Sequence, residues 1–291
     1  MRVTDRIVYR QSIADVSKMR ERLFDLQRQG ATGKRFSSLE EEPTTAARIR
    51  MLKEAQEATL HYEKNITRSK TQLEAADSAL NEATNLLIRA KEIALSTSNA
   101  TVSTEQRLIV AQEAGSLFDS MVGVANTQAA GEFVFGGYLT DTQPFQADGT
   151  FIGDNGQKEV DVGQSSRLTV NVSGENTFTV AGGIDIFGAI DGLQTALAAD
   201  NIPGIQASID TIEQALTQIS GGRTDAGLKL NQLDIASAVR TRLEDSLTTE
   251  KSELIDIDSV EVFVELNATL SALQEAVRVS QRVTETSVLG G

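Results

Sequence analysis

The chain has 291 residues, no cysteine, and a formal net charge of −14 from 41 acidic and 27 basic side chains. That balance repels nucleic-acid phosphates and anionic lipid surfaces, which are held by clustered Lys and Arg. With no thiol and a single histidine, His61, it offers no disulfide, no thiolate site and no second imidazole to complete a zinc site or an acid–base pair.

The N-terminal segment MRVTDRIVYR carries charges at Arg2, Asp5, Arg6 and Arg10, and no apolar run of signal-peptide length follows it. No stretch is expected to supply the ~18 apolar residues of a membrane span, so membrane insertion is not expected. Tyr9, Val16 and Leu23 lie seven apart, with Met19 and Leu26 offset by three or four, which predicts an amphipathic helix at coiled-coil spacing. Gly30 and Gly33 end it, and Pro43 opens the next.

A helix from Thr45 to Ser96 follows. Leu52, Thr59, Ile66, Leu73, Leu80, Leu87 and Ala94 recur by sevens, accompanied by Ala55, Tyr62, Ser69, Ala76, Ala83, Ala90 and Thr97. At 1.5 Å per residue the rod is roughly 75–80 Å long and cannot bury its stripe alone. A third helix is expected from Glu105 to Ala130, with Leu108, Ala111, Gly115, Phe118, Val122, Ala125 and Ala129 in heptad steps.

The period then changes. Phe133–Tyr138, Gln143–Phe145, Thr150–Ile152 and Lys158–Val162 read as short strands between Gly, Asp and Asn turns, and Arg167–Val172 alternates as a half-buried strand does. Helices resume near Asp185. Ile205, Ile209, Ile212, Leu216 and Ile219 share a face until Gly221–Gly222, where a break is expected before a final stretch from Thr224.

The predicted fold is mainly α: a long antiparallel helical coiled-coil bundle formed by N- and C-terminal segments, with a small inserted β-rich domain. Residues 1–42 form a terminal helix and turn, expected to be disordered in the isolated chain, and 43–130 form long rod helices. Residues 131–182 form the β-rich insertion, 183–250 the returning helices and 251–291 the C-terminal helix.

No constellation supports catalysis. Gly30-Ala-Thr-Gly33-Lys34-Arg35 lacks the leading Gly and trailing Ser or Thr of a phosphate loop, since Arg28 and Arg35 occupy those places. Glu40, Glu41 and Glu42 suit the positive end of the following helix. Asp256 and Asp258 have no partner set that would make a catalytic dyad. Neither a metal nor a cofactor is expected. The apolar stripes remain: Val3, Ile7, Tyr9, Ile13, Val16, Met19, Leu23 and Leu26 at one end, Phe263, Leu266, Leu270, Leu273, Val277 and Val283 at the other. These are expected to be only partly satisfied within one chain and to form a subunit-assembly interface.

Several segments resemble one family. QGATGKRFSSLEEEPTTAARI (Gln29–Ile49), GEFVFGGYLTDTQPF (Gly131–Phe145), GGIDIFGAIDGLQTALAADN (Gly182–Asn201), GGRTDAGLKLNQLDIA and IDIDSVEVFVELN are similar to passages of the flagellin-like hook–filament junction proteins. The resemblance spans essentially the whole chain, and the Gly131–Phe145 passage beside the Gly182–Asn201 segment favours the junction proteins over flagellin itself. It implies a non-enzymatic, extracellular building block of the bacterial flagellum, exported through the flagellar type III apparatus. It also implies a homo-oligomer in a helical tube, contacting the other hook-associated protein and flagellin. An export chaperone is expected to cover Leu266, Leu270, Leu273 and Val277. Two alternatives stand beside it: a short flagellin, and a soluble coiled-coil binding or adhesin module.

Overall fold

The computed structural model describes residues 2–36, 42–99 and 101–289, with side chains described for 7, 10–36, 42–99 and 101–281. In chain order the elements are α1 (Arg2–Thr32), α2 (Pro43–Thr97), α3 (Thr104–Ala125), β1 (Gln128–Ala129), β2 (Glu132–Phe133), β3 (Glu159–Gly163), β4 (Ser166–Thr169), α4 (Gly174–Phe178), a 3₁₀ turn (Val180–Gly182), α5 (Ile186–Ala198), α6 (Ile202–Ile255) and α7 (Ser259–Leu289). This is the mainly α architecture with a small β insertion that the periodicity predicts. Two compact units divide it, one of residues 1–57 with 244–291 and the other of residues 58–243.

The second unit is organised on α2 and α6. Glu63 pairs with Arg240 at 3.7 Å, Asp77 with Arg223 at 3.2 Å and Lys91 with Glu213 at 2.7 Å. As the α2 number rises the α6 number falls in step, so the two helices run antiparallel. All seven positions of the predicted α2 stripe are buried, from Leu52 at 3% exposed to Leu80, Leu87 and Ala94 at 0%. Small residues at Ala76, Ala83 and Ala90, also buried, let partner helices approach closely.

Helix α3 starts on a capping box. Ser103 Oγ accepts from Gln106 N at 3.2 Å while the Gln106 side chain accepts from Ser103 N at 3.3 Å. Contrary to the expectation from sequence, it is long and apolar enough by composition to cross a membrane, with an 18-residue window of mean hydropathy 1.2. Within this unit it packs on α5 and buries Ala111, Ala114, Met121 and Ala125.

Three further expectations are corrected. The third helix stops at Ala125, not Ala130, because the Asn126 side chain takes over the backbone pairing of Phe145. Its Nδ2 donates to Phe145 O at 2.9 Å and its Oδ1 accepts from Phe145 N at 3.0 Å. Chain reversal to β1 and β2 follows at Ala130 and Gly131, both at positive φ (51° and 84°), the geometry of a two-residue hairpin turn.

Second, Phe133–Tyr138, Gln143–Phe145 and Thr150–Ile152 are mostly turns, joined by a single Phe145–Phe151 bridge. Their aromatic side chains form a core instead of a sheet face. Phe145 lies 5.0 Å from Phe151, 5.4 Å from Phe178 and 5.3 Å from Phe187, ring centre to ring centre. Of the predicted strands, the last two pair with each other as β3 and β4, with a register shift between Asp161 and Gly163.

Third, Gly221–Gly222 does not break α6. A Cβ on Gly222 would lie 3.0 Å from Thr177 Cγ2 and 3.5 Å from Leu80 Cδ1. The glycine lets the helix interior approach α4 and α2 closely and is not a stop.

Candidate assembly surface

In the first unit, α1 and α7 pack along each other, with Arg22 Nη2 2.6 Å from Glu265 Oε1. The seam is narrow. Leu26 (1% exposed) and Val262 (7%) are buried, while Val16, Met19, Leu23, Leu266, Leu270, Leu273 and Val277 are half-buried. Ile7, Ile13 and Phe263 of the predicted stripes are exposed, at 61%, 47% and 53%. Val3, Tyr9 and Val283 lie outside the described side chains.

Further large apolar side chains stand exposed on the same two helices: Phe24, Val260, Val264 and Val279. Heptad reasoning passes over them because none of the four belongs to the predicted stripes. Phe24 directly follows Leu23 and Val264 follows Phe263. The signal that could have found them is a large apolar residue standing off the seven-residue repeat.

Where each helix ends explains what faces what. Gly33, at φ +69°, closes α1. Arg35 N then donates to Ile255 O at 2.8 Å and Ile257 N to Gly33 O at 3.2 Å, bracketing a bridge between Lys34 and Asp256. The would-be phosphate loop is thus a turn paired to another turn. Asp256 accepts from Ser252 Oγ at 2.5 Å, and Asp258 Oδ1 accepts from Val260 N at 2.9 Å, capping α7. Both aspartates are engaged in local hydrogen bonds at helix ends. The start of α2 is tied to the end of α6 by Arg48 Nε to Glu250 Oε1 at 2.7 Å, and Lys251 Nζ donates to Gln56 Oε1 at 3.1 Å.

His61 is exposed on α2. Glu42 accepts from Thr45 Oγ1 at 2.7 Å at the head of α2, while Glu40 and Glu41 lie outside the described residues. Among the described residues no group of acidic or histidine side chains could hold a metal ion.

What distinguishes this arrangement is a pair of long terminal helices, each burying a thin stripe on the other and displaying apolar side chains outward. Residues 5–140 match the bacterial flagellin N-terminal helical region. Nearly half of the chain is thus similar to the helical region of flagellins. Over most of its length the chain is similar to flagellar hook-associated protein 3. It is 24% identical to the Escherichia coli protein of that name, over 94% of this chain and 91% of that one. It is 28% identical to the Salmonella typhimurium protein, over 89% and 83%. The fold is shared with solved structures. Xanthomonas campestris FlgL has a TM-score of 0.62 at 20% identity, covering 69% of this chain and 99% of that one. Hook-associated protein-3 from Legionella pneumophila has a TM-score of 0.63 at 18% identity, covering 71% and 98%.

Proposed function

We infer that this chain is a structural component of the bacterial flagellum that joins the hook to the filament by helical self-assembly. The observation that carries the reading is the similarity to hook-associated protein 3 over nearly the whole of both chains. In this reading Ile7, Ile13, Phe24, Phe263 and Val264 meet neighbouring copies in a tube. The half-buried seam residues Val16, Met19, Leu23, Leu266, Leu270, Leu273 and Val277 repack there, together with Val3, Tyr9 and Val283. The neighbours along the axis are the other hook-associated protein on one side and flagellin on the other.

A two-helix seam is a small core, and helices gain most of their stability from packing. In the free chain the terminal segments, residues 1–42 and 251–291, are therefore disordered or only loosely held, and they order fully at the growing tip. There the burial of a second face offsets the cost of ordering. Export through the flagellar type III apparatus suits a chain without cysteine, because no crosslink can form before passage. A chaperone that covers Leu266, Leu270, Leu273 and Val277 shields the same seam before assembly.

Deletion of the gene tests the role. Intact hooks without filaments, and flagellin shed into the medium, are expected in electron micrographs. Filaments of normal length on the deletion strain would exclude it. Immunogold labelling separates the short-flagellin alternative: a single band at the filament base is expected, and staining along the filament would favour flagellin.

A further inference from the structure

Between Ile152 and β3 the chain carries Asn155–Gly156, the one Asn-Gly step in the sequence. The amide nitrogen following an asparagine can attack that residue's side-chain carbonyl carbon and close a five-membered imide. Glycine, without Cβ, hinders this least. An unassisted step depends on solvent to take the proton and to meet the developing oxyanion. Here the fold supplies groups for both tasks.

Asp154 Oδ1 accepts from Gly156 N at 2.8 Å, so a carboxylate already sits on the nucleophile's hydrogen. The same oxygen accepts from Tyr138 N at 2.7 Å, which fixes its position. On the other side, Ser173 Oγ donates to Asn155 Oδ1, where negative charge would develop. Ser173 is itself held in place as the N-cap of α4, its Oγ accepting from Asn176 N at 3.1 Å. The loop is fastened around these atoms. Gly156 O accepts from Asn171 Nδ2 at 2.8 Å, Tyr138 Oη donates to Gln157 O at 2.8 Å, and the Tyr138 ring covers Gly156 so closely that a Cβ there would lie 2.1 Å from a ring carbon. Asn155 is exposed, so ammonia can leave and water can enter.

We propose that Asn155–Gly156 is a self-modifying site at which the folded chain deamidates its own Asn155, with Asp154 as base and Ser173 as oxyanion donor. Gly156 N bonds to Asn155 Cγ while its proton passes to the Asp154 carboxylate, and the charge on Oδ1 is met by the Ser173 hydroxyl. The Cγ–Nδ2 bond then breaks, and Asp154 returns the proton to the nitrogen that departs as ammonia. Water opens the imide. Cleavage at Cγ gives aspartate on an unchanged backbone, and cleavage at the main-chain carbonyl gives isoaspartate, with the backbone routed through the side chain. No electrons are exchanged, and either product replaces a neutral amide by a carboxylate.

The purified full chain is incubated at neutral pH, native in one arm and unfolded in guanidinium chloride in the other. Conversion at Asn155 is read by peptide mass spectrometry and isoaspartyl methyltransferase labelling. The native chain is expected to convert about tenfold faster than the unfolded chain, or more, the order expected of positioned acid–base groups. In native chains checked by circular dichroism, Asp154→Asn and Ser173→Ala fall toward the unfolded rate, and Ser173→Thr, which keeps the hydroxyl, stays near wild type. A native chain that converts no faster than the unfolded one overturns the proposal, and that comparison needs no variant. A folded Asp154→Asn chain with unchanged rate overturns it as well.

Discussion

At the residue scale the strongest polar constraint is a buried guanidinium. The Arg107 side chain is 3% exposed and donates to Thr97 O at 3.2 Å, to Asn99 O at 2.7 Å and to Asp200 Oδ1. It joins the turn before α3 to the turn between α5 and α6. Asp200 is the only charge in that set able to balance it, and hydrogen bonds from Thr104 and then Arg107 hold its carboxyl below the usual range. Removing the partner of a buried charge is costlier than removing an exposed pair. Asp200→Ala should therefore lower the thermal midpoint far more than Glu265→Ala, which breaks the exposed pair with Arg22. Adding Arg107→Met to Asp200→Ala should restore part of the loss in a double-mutant cycle. Glu132 makes a second prediction. Its carboxyl is also lowered, chiefly by the Lys158 hydrogen bond, with Gln72 and the charge of Arg68 assisting against burial. A carboxyl lowered in the folded state contributes stability above its unfolded value, about 4.3, and that contribution is lost as pH falls through the folded value. Thermal melts between pH 6 and pH 3 should therefore fall less steeply for Glu132→Gln than for wild type.

At the scale of elements, two adjacent glycines in α6 should respond oppositely. A Cβ on Gly221 meets nothing within 4 Å, so Gly221→Ala should stabilise by about 0.5–1 kcal/mol through helix propensity and a less flexible unfolded chain. Gly222→Val would press on Thr177, whose hydroxyl is tied to Ser173 O at 2.6 Å, and should destabilise by about 1–3 kcal/mol. Urea titration of both variants checks the signs. The same glycines show what the sequence leaves illegible. The α2 stripe is readable because every seventh residue obeys one rule, and all its members are buried. A glycine inside α6 obeys a neighbour's requirement, and that neighbour, Thr177, comes from a different element. The aromatic turns escape prediction for the same reason. Phe145 is positioned by the Asn126 amide and by other rings, so no local alternation announces its place.

For the whole molecule, the exposed Phe24 and Val264 are not legible in the sequence, because a repeat identifies a seam that a helix can use and says nothing of a surface left over. Phe24 and Phe263 test that surface directly, since both are exposed and outside the buried seam. The double variant Phe24→Ser, Phe263→Ser should keep the helical circular dichroism of the free chain and fail to support filament growth. Loss of helicity would mean these side chains belong to the chain's own core. Limited proteolysis is expected to trim residues 1–42 and 251–291 first and to leave the unit of residues 58–243 folded. The paired turns at Gly33–Arg35 and Ile255–Ile257 add a constraint on how such proteins can change. An extra residue in one turn shifts its carbonyls past their partners, whereas matched additions in both leave the rungs aligned. Length at this joint is thus heritable only in couples, and related chains should gain or lose residues on its two sides together.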